Sequence, residues 1–127
     1  MSERGSVSLA VLGVGAVVLV LAAGLGAVGA YLRAQAEAEM AADAAALAAA
    51  PVTFLPFGAR GTPTEEAARF AAFNHASLTV CRCDLDPSWE PRTVEVETMR
   101  VVEIWPLGTF EVRAIGRAEF VPALLLG

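Results

Sequence analysis

The chain has 127 residues, enough for one small domain, and 56% of them are hydrophobic, above the roughly half usual in a soluble domain. With 9 Lys+Arg against 14 Asp+Glu and a formal net charge of -5, it offers no basic surface of the kind that neutralises phosphates, which argues against a nucleic-acid partner. Every basic residue is arginine, and with the heavy Ala and Gly usage this looks like the composition of a high-GC genome.

The hydrophobic excess is concentrated at the start. Residues 5–32 contain no charge, and about 28 residues at about 1.5 Å each make roughly 42 Å of helix, more than the roughly 30 Å hydrocarbon core needs. The run therefore predicts a transmembrane helix over 6–32, with lipid as its first partner. A secretory signal has an apolar core of roughly 7–15 residues. This run is about twice that, so a retained anchor is expected, although Ala27-Val28-Gly29-Ala30 has the small residues of a cleavage site. Gly13, Gly15, Gly24, Gly26 and Gly29 permit close approach of other membrane helices, but glycine is common in such spans in any case. Arg4 before the span and Arg33 after it nearly cancel in setting orientation. The short tail and free amine tip the balance toward a cytoplasmic leader over 1–5, a single pass through the cell membrane, and an extracytoplasmic remainder.

The helix has no reason to stop at the membrane surface. Residues 33–50 are more than half alanine, with Gln, Glu, Met and Leu between, all residues that lose little on entering a helix. Pro51 then ends it, lacking the N–H that a further turn needs. The prediction is one rod of about 45 residues, of the order of 65 Å, lipid-embedded at its beginning and aqueous at its end. Met40 and Leu47 lie seven apart on one face beside Ala36, Ala44 and Ala48, a thin seam of heptad-like spacing. That face either packs on the C-terminal part of the same chain or meets the helix of another subunit. The rod is accordingly a stalk that lifts the rest clear of the membrane, or a member of a bundle.

Residues 51–61, PVTFLPFGARG, read as a turn-rich linker to a small domain over 62–127. Thr62 as cap, Pro63 at the first helical position and Glu65 reaching back as a capping box start a short helix that runs to about Phe73, with Asn74 as terminator. The period then changes to two. Leu78, Val80 and Arg82 alternate with Thr79, Cys81 and Cys83; Val94 and Val96 with Glu95 and Glu97; Phe110, Val112 and Ala114 with Glu111 and Arg113. Three strands are expected, separated by DLDPSWEP and WPLG, whose Pro, Asp and Gly are turn formers. The fold class is α+β: a long N-terminal transmembrane helix continuing into an Ala-rich helix, then a short helix and a small three-stranded antiparallel sheet packing one apolar face on a helix. The terminal PALLLG covers an edge or stays loose.

Chemistry-bearing residues are sparse. Cys81 and Cys83 are the only cysteines; at i and i+2 on a strand they share a face, and a bridge between them closes a very small ring, so a stable structural disulfide is not expected. Two partly buried small residues are the plainer reading, a redox pair or intermolecular disulfide the alternative. His75 with Cys81, Cys83 and Asp84 falls short of the paired spacing of a zinc site, and His75 reads as a helix-end residue, so no metal is expected. With one histidine and no nucleophile motif the chain carries no catalytic set, cofactor site or small-molecule substrate signature. Trp89 and Trp105, each near a turn proline, either anchor a partner or cover the sheet.

The order of parts carries a resemblance. A polar leader ending in Arg4-Gly5-Ser6, a long apolar helix, ADAAALAAA over 42–50, a short helix and a few strands look like the TadE/TadG-like membrane proteins of tight-adherence (Flp-type) pilus assembly. The run AFNHASLTVC over 72–81, followed by Val94-Glu95-Val96, is similar to the small actinobacterial TadE-like proteins of secretion-gene neighbourhoods. The resemblance implies a pilin-like fold and a minor-pilin or pseudopilin-like role in a Tad pilus or related secretion system. Its partners would be other pilin-like or secretion-system membrane proteins. The alternative is a membrane-tethered extracytoplasmic binding module. Many proteins of the resembled kind are processed after a glycine, with a glutamate five residues downstream. Gly5 followed by Ser6 matches the glycine, but Ala10 stands where the glutamate belongs. The group often carries a cysteine in the short helix, which this chain lacks.

Overall fold

The computed structural model describes residues 2–54 and 61–127. One helix, α1, runs from Ser2 to Val52 without interruption, about 75 Å at the helical rise. Pro51 sits in its last turn, and the chain closes just beyond, where the Thr53 hydroxyl donates to the Ala50 carbonyl at 2.6 Å. Most of the expected 51–61 linker lies outside the described residues.

Helix α2 spans Pro63–Phe73 and begins as its local chemistry dictates: the Thr62 hydroxyl accepts from the Glu65 amide and the Glu65 carboxylate accepts from the Thr62 amide. It ends at Asn74. His75 follows with φ 60; its amide donates to the Ala72 carbonyl and that of Ala76 to the Ala71 carbonyl. This is the paired closure of a Schellman motif, with histidine in the left-handed position usually held by glycine.

The sheet has three antiparallel strands in chain order, β1 (Ser77–Arg82), β2 (Arg92–Ile104) and β3 (Gly108–Phe120). β2 and β3 pair without slip from Arg92 opposite Phe120 to Ile104 opposite Gly108. Even-numbered residues of both strands therefore share one face. On that face Val94, Val96, Thr98, Val112, Ala114 and Ala118 are buried, while Glu95, Glu97, Arg113 and Arg117 form ion pairs on the other. In β1 the expected alternation is broken: the pairing skips between Leu78 and Val80, a bulge that turns Cys81 inward and leaves Val80 exposed. The tail makes a short 3-10 helix, Pro122–Leu126, with Pro122 buried and its three leucines exposed.

The sheet packs on the second half of α1. Ala34, Ala38, Ala41, Ala42, Ala45, Ala46 and Ala49 are almost wholly buried, and side chains of one carbon let the strands come down to the helix backbone. At the closest point Gly116 faces Ala42; beside it the buried Thr98 hydroxyl donates to the Ala38 carbonyl at 2.9 Å. Two core clusters result, an outer one joining Ala45, Ala49, Ala67, Ala71, Val94 and Val96, and an inner one joining Ala34, Ala38, Val112 and Ala114. The domain thus lies alongside the stalk instead of standing beyond its end. The reason is the unslipped β2–β3 hairpin, which runs back along the rod until its turn stands beside the apolar segment.

Candidate functional site

Two surfaces of α1 are left uncovered. The first is the apolar run itself: Val11, Leu12, Val18, Leu19 and Leu25 are each more than half exposed, and the helix is long and apolar enough to cross a membrane. A Cβ added at Gly13, Gly15, Gly24, Gly26 or Gly29 would meet nothing within 4 Å. Gly5 likewise has open space around it, and both it and Ser6 lie within the helix.

The second surface is the predicted seam. Met40 and Leu47 are 57% and 67% exposed, Ala36 is exposed and Ala44 half-buried. At about 100° per residue this stripe lies roughly opposite the alanines that carry the sheet. The domain has taken the other side of the helix because the bulkier Met40 and Leu47 would hold the strands away from the backbone. The same stripe continues down the apolar run through Gly26 and Gly29, so the span and the stalk share a single free face.

Charges concentrate where the stalk begins. The Arg33 Nε donates to Glu37 at 2.9 Å, and Arg100 of β2 pairs with the same carboxylate. The hydrogen bond from Arg33, with the nearby positive charge of Arg100, holds Glu37 below the ordinary carboxylate range. Below that level, away from the domain, the hairpin turn meets the apolar helix in an open groove of about 250 Å³. Tyr31 and Leu32 line one wall, Ile104, Leu107 and Phe110 the other, and Trp105 stands 86% exposed at the tip. Gly108, with φ 106, makes the turn in a conformation that side chains disfavour.

At the far end of the domain a clamp closes the fold. The Asp86 amide donates to the Thr53 carbonyl at 2.7 Å. The Arg92 guanidinium donates to the carbonyls of Asp86, Ser88 and Glu90 and lies over the Phe54 ring. Phe54 in turn meets Trp89 edge-on at 4.9 Å and Phe120 at 6.2 Å. The Ser88 amide, bonded to the Asp86 carboxylate, keeps that group below its ordinary range. Trp89 therefore covers the end of the helix, whereas Trp105 covers nothing.

Cys81 and Cys83 form a disulfide, against the expectation from strand geometry. The difference is that β1 stops at Arg82, so Cys83 has left the ladder, and the two Cα atoms approach to 5.4 Å, inside the usual range for a bridge. Cys83 is buried with its sulfur 3.5 Å from the Thr64 hydroxyl, so the bridged strand end sits against the start of α2. His75, held at the helix end, and Asp84 join neither cysteine in a metal-ligand group; among the described residues no three His, Cys, Asp or Glu side chains converge on one.

No curated protein and no solved structure matches the chain. A family model does match, over the long helix and not the sheet domain. A match of this kind fits a component of a Tad pilus system. Residues 5–52, the apolar run and the alanine-rich stalk together, match the Tad family model, described as putative Flp pilus-assembly TadE/G-like.

Proposed function

We propose that this chain is a single-pass, minor-pilin-like subunit of a Tad (Flp-type) pilus or related secretion assembly. Its N-terminus is cytoplasmic and its α+β domain extracytoplasmic. The observation that carries the reading is the division of labour on α1. One face of the stalk is filled by the chain's own sheet, and the opposite face, with Ala36, Met40 and Leu47, stays open and runs on into the glycines of the span. A rod whose only task was to anchor the domain has no need of a continuous free stripe. A thin seam of small residues suits close helix contact both in lipid and above it.

Single cysteines at Ala36, Met40 and Leu47, oxidised in native membranes, test this. Crosslinked products at these positions, and none at Gln35→Cys or Glu39→Cys on the flank beside the sheet, are the expected result. Monomer alone at every position removes the assembly role and leaves a tethered binding module. Gly5 and Ser6 are the proposed processing site within this reading; an intact Met1 peptide in the mass spectrum of the purified chain removes that part.

A further inference from the structure

The turn between β2 and β3 is an exposed apolar point of the folded domain. From Ile104 to Phe110 the hairpin carries no charge, and Trp105 and Leu107 are 86% and 66% exposed. Its position makes this more than a greasy loop. The last charged residues before the tip are Glu103 on β2 and Glu111 on β3, and α1 loses its charges at the same level, beyond Arg33. Hairpin and helix become uncharged side by side.

Helical rise gives the depth. Arg4 and Arg33 are separated by about 43 Å, close to the roughly 40–45 Å thickness of a bilayer with its headgroups, so the two arginines fit the two headgroup layers. The groove reaches down to Ala27, six residues and about 9 Å below Arg33. A tip at that height stands in the zone where tryptophan and tyrosine rings settle and where interfacial segments bury their apolar faces. Tyr31, on the helix wall of the groove, is 43% exposed at the same level.

We infer that the β2–β3 turn is a second membrane contact, with Trp105 and Leu107 inserted into the outer headgroup and acyl boundary beside Tyr31 and Leu32. The occupant of the groove is lipid. Anchoring at two points, span and hairpin, fixes the rotation of the helix about its own axis. The domain then rests against the bilayer on one side, and the Met40–Leu47 stripe is held facing along the membrane. This rests on α1 spanning the membrane, but not on its belonging to a pilus.

The test uses the full chain in vesicles of phosphatidylcholine and phosphatidylglycerol, with bromine placed at a shallow or a deep position on the acyl chain. Trp89→Phe keeps a ring against Phe54 and leaves Trp105 as the sole indole; Trp105→Phe, at an exposed position, leaves Trp89. The expected result is that Trp105 emission is blue-shifted and loses most of its intensity to shallow bromine and less to deep bromine, while Trp89 is unaffected. Wild type compared with Trp105→Phe gives the same difference should Trp89→Phe fold poorly. Trp105 emission that bromine leaves unchanged overturns the proposal. If aqueous acrylamide quenches it the turn stands in water, and if it is blue-shifted but unquenched by either reagent a protein covers it. Failure of the chain to float with vesicles removes the membrane reading as well, whereas flotation with an unquenched Trp105 removes this inference alone.

Discussion

Gly116 of β3 rests on the backbone of Ala42 in α1. A Cβ built at Gly116 comes within 2.6 Å of the Asp43 amide nitrogen and closer still to the Ala42 carbonyl group. The obstacle is main chain on a continuous helix, so neither side can yield by a rotamer change. Gly116→Ala is expected to push the hairpin off the stalk and cost about 1–3 kcal/mol. Ile115→Ala, on the exposed neighbour, should stay within about 0.5 kcal/mol. Thermal unfolding in detergent micelles, followed by near-ultraviolet circular dichroism, reads both.

Arg92 holds the 84–91 loop through three carbonyls. Arg92→Ala strands those acceptors and removes the cation over Phe54, a loss on the order of 2–3 kcal/mol. Arg92→Lys should recover little, because an ammonium cannot span a fork of carbonyls. Amide exchange checks the location: the Asp86 amide, bonded to Thr53, is expected to lose protection in both variants while the paired centre of β2 keeps it.

His75 occupies the left-handed closing position of α2. Removing its Cβ relieves a conformation that side chains disfavour by roughly 1–2 kcal/mol, against which glycine's greater freedom in the unfolded chain must be set. His75→Gly should therefore raise stability by up to about 1 kcal/mol. An unchanged or lower melting temperature would show that the imidazole contributes contacts of its own.

Acid should loosen the junction between stalk and hairpin. Glu37 is held below the ordinary carboxylate range first by its hydrogen bond from Arg33 and then by the charge of Arg100. A folded pKa below the unfolded one stabilises the fold at every pH above the ordinary Glu value of roughly 4.3. That stabilisation is lost as pH falls through the lowered value. Glu37→Gln should melt below wild type at neutral pH, and the gap should close as pH falls below about 4. A gap that persists at low pH would assign the effect to packing.

Local chemistry was legible in advance and long-range choice was not. Thr62, Pro63 and Glu65 specify their cap within four residues, and the alternation of β2 and β3 fixes which residues face inward. The bulge after Leu78 leaves no mark in the strand's own residues because it depends on the partner strand, where Thr98 and Glu97 take Leu78 and Val80. The disulfide depends likewise on where pairing stops: the strand ends one residue before Cys83. Hardest to read was the buried side of the stalk. Alanine surrounds the helix, so hydrophobicity does not distinguish Ala38 and Ala45, which are buried, from Ala36, which is not. The larger Met40 and Leu47 marked a seam, yet the sheet chose the side with the least bulk. Gly116, with no side chain to bury, marks where backbone meets backbone, a contact that only the packed structure reveals.

The assembly reading depends on span and stalk being a single helix, so that a neighbour gripping one half is geared to the other. Spin labels at Leu12 and Met40, both exposed and 28 residues apart by number, measure this directly by dipolar spectroscopy in lipid nanodiscs. The account predicts one narrow distance distribution centred near 42 Å. A broad distribution, or a centre well short of that length, would mean that the chain bends between lipid and water and would contradict the account.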